Sequence, residues 1–266
     1  MANLSKAEWL ALEKKALELR KLCVQTTVWA GSGHFGGGMS VMDLLTVLYH
    51  KYLNIKVDEP QWDDRDRFIL SKGHAAIAYA PVLCDKGFNP VEMLKSFNLS
   101  GSKMGMHLDS NKVVGVDAST GSLGHGPSIA AGTALAARLQ NKDFLTYVVT
   151  GDGELGEGSC WEGFMTINHY NLSNCIVFID RNHNMIDGNY IGDLCDAIDV
   201  AIERAKTPQA PTCILMDTKK GAGIKSIEGD YTWHYGAIDD ALFEKFNNEL
   251  DADYAARVAR AVKEGK

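Results

Sequence analysis

The sequence predicts an α/β fold: a doubly wound, mainly parallel sheet with helices on both of its faces. Three observations carry that expectation. Short apolar runs rich in β-branched residues, such as 144–150 and 175–180, have the character of strands buried on both sides. They alternate with longer stretches of helical periodicity, the element order that builds parallel sheets. Glycine is also over-used: the 266 residues include 26 glycines, about 10% against roughly 7% in ordinary proteins.

Trp9, Leu12, Ala16, Leu19 and Cys23 recur at helical spacing with Glu and Lys between them, so the first helix is amphipathic and runs toward Val28. A glycine-rich turn is expected over 31–38. A second helix follows over 40–52, with Ser40 as its cap and Met42, Leu45, Leu48, Tyr49 and Tyr52 on one side. Residues 67–71 make a short strand opening onto Lys72-Gly73-His74, and 75–86 read as helix with Pro81 as a weak objection. The stretch 99–120 is irregular and rich in Ser, Gly and Asp, and long loops inside compact domains are usually functional. Helix over 127–139, strand over 144–150, helix over 160–170, strand over 175–180, helix over 193–206 and strand over 212–218 complete the alternation. A helical tail covers 237–266. With no linker, composition shift or internal repeat, residues 1–266 read as one domain.

Composition excludes several kinds of function. Lys and Arg number 27 against 34 Asp and Glu, a net charge of −7, which argues against nucleic acid or an anionic membrane as the partner. The charge-free stretches 22–42 and 118–137 are broken by five and four glycines, so neither reads as a membrane helix, and the first 20 residues lack the apolar core of a signal peptide. The six cysteines form no CxxC pair and lie mostly in apolar runs. They read as reduced packing thiols of a cytoplasmic protein.

Gly31-Ser-Gly-His-Phe-Gly36 matches GxGxxG formally, but a helix precedes it where a dinucleotide site needs a strand, and no acidic residue ends a following strand. The stronger feature is Gly151-Asp152-Gly153, directly after a predicted parallel strand, where ligand sites of such sheets lie. Asp152 presents a hard oxygen suited to a divalent cation. Asn182, 30 positions on, again follows a strand, and a βαβ crossover puts both strand ends on one edge of the sheet. Two oxygen ligands are therefore expected to converge.

The block Gly151-Asp-Gly-Glu-Leu-Gly-Glu-Gly158 through Asp180-Arg-Asn182 resembles the thiamine diphosphate signature, and the whole chain resembles the N-terminal, diphosphate-binding subunit of a split transketolase. Ser32-Gly-His34, the run from Arg65 through Lys72-Gly-His74 to Ala75, Gly115 to Gly124, and Trp233-His234 carry the likeness over about residues 10–240. The resemblance implies the thiamine diphosphate-binding fold of the PP type. It implies that Asp152, Asn182 and the carbonyl of Asn184 hold Mg²⁺ (or Ca²⁺). His74, Gly121, Leu123, Gly151, Asp152, Gly153, Glu157, Asn182 and Ile186 would contact thiamine diphosphate. His34, His107 and His234 would act on the sugar, and imidazole is the side chain best poised for proton transfer near neutral pH. Lys219 and Lys220 read equally as a phosphate contact or a solvated turn.

The implied activity is transfer of a two-carbon ketol unit from a ketose phosphate to an aldose phosphate. The alternatives are another thiamine diphosphate enzyme component, of the deoxyxylulose phosphate synthase kind, and a non-catalytic cofactor-binding subunit. Some positions depart from the family pattern: His125 stands in place of Gln, Phe35 and Leu108 in place of Pro. A helix and a strand that the family carries after Gly188 are missing, which draws attention to the edge of the sheet. The chain has no room for a pyrimidine-binding domain, so the resemblance implies that its partner is a separate C-terminal transketolase subunit, in an α₂β₂ assembly.

Overall fold

The computed structural model describes residues 4–182, 191–207 and 210–264. The strands β1 (Arg67–Leu70), β2 (Thr146–Gly151), β3 (Cys175–Arg181) and β4 (Thr212–Asp217) pair in parallel in the order β1-β2-β3-β4. Every residue of β2 is buried, which explains why its sequence shows no polar alternation. The helices are α1 (Lys6–Ala30), α2 (Phe35–Ser40), α3 (Met42–Val47), α4 (Ala76–Lys86), α5 (Gly126–Leu139), α6 (Gly158–His169), α7 (Ile191–Ala205) and α8 (Asp240–Glu264).

Alternate strand side chains feed two cores. Phe68, Leu70, Tyr147, Val149, Ile176 and Phe178 join a large core with α1, α3, α4, α7 and α8. Ile69, Val148 and Val177 face α5 and α6 on the other side. Helices thus cover both faces, as predicted. Helix α1 starts at a capping box formed by Ser5 and Glu8 and ends at Gly31, whose φ of 74° is the left-handed conformation that closes a helix.

The predicted turn over 31–38 is corrected. Residues Phe35–Ser40 are helical, three glycines included. Close packing overrides their poor helix propensity: a Cβ on Gly36 would stand 2.6 Å from the Trp233 carbonyl oxygen, and one on Gly38 would stand 2.8 Å from Ile77 Cγ2. Ser40 is therefore not a cap but a buried residue at the end of α2, and the predicted helix over 40–52 is split at Val41 and finishes in a π turn over Leu48–Tyr52.

The edge of the sheet at β4 is unusual in two respects. The β2–α6–β3 and β3–α7–β4 connections step in the same direction across the sheet but carry their helices on opposite faces, so they have opposite hands. Parallel crossovers are almost always right-handed. A chain that steps out to a further strand and returns places its second helix on the other face without breaking that rule, and removing the outer strand leaves the arrangement seen. Cys213 and Leu215 pair in register with Val177 and Ile179, on the face of α5 and α6, yet Leu215 is 57% exposed. Of the six free cysteines, five are buried as predicted and Cys213 is exposed.

Helix α8 is clasped to α1 and α3 by buried charges. Asp43 accepts from Arg20 Nη1 at 2.8 Å and from Arg257 Nη1 at 3.1 Å, while Glu13 lies 3.6 Å from Arg257 and accepts from Trp9 Nε1 at 3.0 Å. Asp253, nearer the solvent, accepts from Arg257 Nε at 2.6 Å, so each buried charge of the cluster is paired, the condition under which it can be buried.

Candidate active site at the carboxyl ends of the strands

Parallel pairing brings Gly151 opposite Asp180, and the Asp152 N–H continues the ladder to the Asp180 carbonyl oxygen at 3.0 Å. Asp152 and Asn182 therefore leave neighbouring strand ends side by side, the adjacency of strand ends that a βαβ crossover predicts. Asp152 accepts from the Gly153 N–H at 2.8 Å. Asn182 donates from its side-chain Nδ2 to Asp180 Oδ2 at 3.1 Å, and its main-chain carbonyl oxygen accepts from the Lys220 N–H at 3.3 Å. Asn184 and Ile186, the other two residues expected here, lie outside the described residues, as does His183.

A cluster of imidazoles stands beside these strand ends. Gly33 and Gly236 exchange two backbone hydrogen bonds, of 3.0 and 3.1 Å, which ties the start of α2 to the segment holding His234. The His34 ring centroid lies 5.1 Å from that of His74 and 5.2 Å from that of His234, and His74 and His234 are 5.5 Å apart. His107 joins them through the loop at Gly121, where a Cβ would meet its ring at 3.3 Å. Burial, then the neighbouring imidazoles of His234 and His107, hold His34 down to about 4. Burial, then the Lys72 ammonium, hold His74 down to about 3. His107 and His234 are also lowered, mainly by burial, although both are more exposed. At neutral pH these rings are uncharged and can each donate one hydrogen bond and accept another.

The loop from Ala118 to His125 is held against the strand ends by contacts that only small residues allow. Thr120 Oγ1 donates to the Leu70 carbonyl oxygen at 2.6 Å, directly over Gly73. Glu154, 2% exposed, accepts from the N–H groups of Gly124 at 2.8 Å and Gly151 at 3.0 Å and from the Ser71 hydroxyl. One carboxylate therefore joins the ends of β1 and β2 to the loop. Gly121 and Leu123 lie on that loop, and Glu157 heads α6 beside Gly124, where a Cβ would stand 2.7 Å from its own.

The structure thus gathers His34, His74, His107, His234, Gly121, Asp152 and Asn182 around one edge of the sheet, with Leu123, Gly151, Gly153 and Glu157 in the adjoining segments. Lys219 and Lys220, left equal by the sequence, now differ. Lys219 pairs with Glu228 at 3.4 Å, whereas the Lys220 stem lies against Gly36 and its charge helps to lower His234. Sequence reasoning missed the buried support of this edge: Lys72, Asp180, Glu154 and Ser71. The one signal available was that Ser71 and Asp180 close apolar runs; Lys72 and Glu154 stand in polar, glycine-containing turns that give none.

The model of the family described as transketolase, thiamine diphosphate binding domain, matches residues 12–198. The chain belongs to that transketolase family. A 6-deoxy-6-sulfo-D-fructose transketolase subunit from Clostridium sp. (strain MSTE9) is 34% identical over 268 residues, covering 92% of this chain and 98% of the relative. That alignment is longer than the part of this chain it covers, so the relative holds residues this chain lacks. One subunit of an apulose-4-phosphate transketolase from Phocaeicola vulgatus is 34% identical over 263 residues, covering 90% of this chain and 93% of the relative. Among solved structures, a transketolase from Pichia stipitis superposes with a TM-score of 0.79 at 27% identity over 95% of this chain and 44% of that one. The transketolase of Campylobacter jejuni superposes with a TM-score of 0.74 at 25% identity over 96% of this chain and 48% of that one. This transketolase-type chain thus spans nearly the full length of the subunit relatives and less than half of the solved transketolases. Among the described residues no helix is long and apolar enough to cross a membrane.

Proposed function

We propose that this chain is the diphosphate- and metal-binding half of a cytoplasmic two-subunit transketolase that moves a two-carbon ketol unit from a ketose phosphate to an aldose phosphate. The observation that carries the reading is the side-by-side exit of Asp152 and Asn182 from neighbouring parallel strands, next to four neighbouring histidines. Family membership and the full-length likeness to proteins named as transketolase subunits support it.

The residues fit the cofactor. A carboxylate and an amide oxygen at adjacent strand ends suit a hard divalent cation such as Mg²⁺. Nδ1 of His34 is buried without a hydrogen-bond partner among the described residues, and a Cβ on Gly153 would meet nothing within 4 Å. Asp152 and Asn182, with Asn184 as the resemblance implies, would hold the cation; His74 and Gly153 would face the diphosphate. When bound, thiamine diphosphate supplies the carbon nucleophile that takes up and passes on the two-carbon unit. His34, His107 and His234, neutral at working pH, would accept protons from sugar hydroxyls and donate to the carbonyl oxygen.

The chain in this reading acts as one cofactor-binding unit, 1–266, and leaves the pyrimidine end of thiamine diphosphate to a C-terminal transketolase subunit in an α₂β₂ assembly. The test is ketol transfer from xylulose 5-phosphate, with pyruvate as the competing donor, by the chain alone and after co-expression with a pyrimidine-domain subunit. Activity confined to the pair and to the ketose phosphate supports the reading; full activity of the chain alone sinks the two-subunit part.

A further inference from the structure

The carboxylate of Asp180 is completely buried, with 0% exposure. An ionised carboxyl in such a place is tolerated only when it is paired and hydrogen-bonded. Asp180 meets that condition with donors from four segments: the Lys72 ammonium after β1, Ser40 Oγ in α2 at 2.7 Å, the Thr218 hydroxyl after β4, and Asn182 Nδ2 after β3 at 3.1 Å. The Lys72 ammonium is anchored in turn by the Gly37 carbonyl oxygen at 2.9 Å. The Asp180 main chain also accepts from Asp152, at 3.0 Å. One residue thus touches both of the proposed cation ligands, one through its backbone and the other through its side chain.

The two contacts do different things. The backbone bond fixes where Asp152 starts. The side-chain bond fixes which way round Asn182 stands, because the two ends of a carboxamide have the same shape but opposite character: NH₂ donates and repels a cation, while the oxygen accepts and ligates one. A carboxylate ion-paired to Lys72 has no hydrogen to offer, so it takes the NH₂ end and leaves Oδ1 at the opposite end of the amide, away from Asp180. Among the described residues the only side-chain hydrogen bond of Asn182 is this one, made by its NH₂ end.

We propose that Asp180 is a positioning residue that orients Asn182 so that Oδ1, and not the NH₂ group, is presented to the cation. The proposal rests on the reading of Asp152 and Asn182 as cation ligands. A second-sphere partner of this kind typically carries about 10- to 100-fold in metal affinity.

The test uses Mn²⁺ as the probe, its binding to the full chain in the presence of thiamine diphosphate followed by the loss of the free Mn²⁺ electron paramagnetic resonance signal. Asp180→Leu combined with Lys72→Met removes the buried pair together, a replacement that leaves no unpaired charge. The double variant is expected to bind Mn²⁺ about tenfold or more weakly, while Thr218→Val, which removes a bond to Asp180 but none to Asn182, binds as the wild type does. Adding Asn182→Asp to the double variant is expected to restore affinity, since either oxygen of a carboxylate can ligate and no orientation is needed; a merely structural defect would not be repaired this way. Wild-type affinity in the double variant, or no restoration by Asn182→Asp, overturns the proposal. Should the double variant fail to fold, as judged by circular dichroism, Asp180→Asn with the same rescue decides by the same criteria. Asp152→Ala and Asn182→Ala in the wild-type background separate the two levels. If neither weakens Mn²⁺, the ligand reading itself falls and the proposal with it; if both do while the Asp180 variants do not, the orienting role alone is wrong.

Discussion

Gly73 and Thr120 are packed so closely that a methyl group on Gly73 would stand 2.7 Å from Thr120 Oγ1 and 3.0 Å from the Gly121 nitrogen. The turn after β1 and the loop carrying Gly121 and Leu123 are therefore held against each other by the absence of one side chain. Gly73→Ala is expected to push Thr120 off the Leu70 carbonyl oxygen that it now bonds at 2.6 Å. Overpacking of this kind costs about 1–3 kcal/mol. The measurement is a pair: urea unfolding for the stability loss, and thiamine diphosphate titration for a weakening of about tenfold, equivalent to about 1.4 kcal/mol. Loss of stability without loss of affinity would show that the loop does not meet the cofactor.

The histidine cluster sets a pH dependence whose sign is fixed. His34 and His74 are held at about 4 and about 3 in the folded chain, against an ordinary value of 6.5. Below 6.5 the unfolded chain binds more protons at these positions than the folded one, so their contribution to stability is complete above that pH and is lost on acidification toward 4 and then 3. Thermal melts between pH 7.5 and 4 should show midpoints falling with pH, and His74→Asn, which removes the most lowered ring, should make the slope shallower. An unchanged slope would mean that the ring is not buried in solution.

Helix α8 depends on a charge that cannot be left alone. Arg257 lies 3.1 Å from Asp43 and 3.6 Å from Glu13, and both carboxylates are buried. Arg257→Met leaves the buried Asp43 and Glu13 facing one guanidinium, that of Arg20, and also takes away the partner of Asp253. Breaking a buried cluster in this way costs about 3–5 kcal/mol, read by chemical denaturation. Removing Glu13 at the same time, as Glu13→Gln, should recover part of the loss.

The sequence made the sheet and the strand-end site legible for a definite reason. Buried parallel strands carry apolar runs, and Asp152 and Asn182 sit immediately after two of them, so topology alone placed them together. The helix containing Gly36, Gly37 and Gly38 was not legible, because it exists through contacts with Trp233 and Ile77 that lie far away in the chain. Ser40 read as a cap for the same local reason, while its hydroxyl is used by Asp180, 140 positions on. Lys72 and Glu154 were passed over because a single polar residue at a strand end looks like solvated turn until the structure shows what it bonds. The shortened segment after Gly188 is legible only against the family pattern, while the two crossovers of opposite hand and the exposed Leu215 emerge only from the faces the helices occupy.

The central claim is that this chain binds the cation and diphosphate end of thiamine diphosphate through Asp152. Calorimetric titration of thiamine diphosphate into the purified chain, with Mg²⁺ and with chelator, compared between wild type and Asp152→Ala, tests it most directly. The expected result is binding that requires the divalent cation and is lost in Asp152→Ala while the unfolding curve of the variant is unchanged. Binding of equal strength in Asp152→Ala, or binding indifferent to the cation, would contradict it.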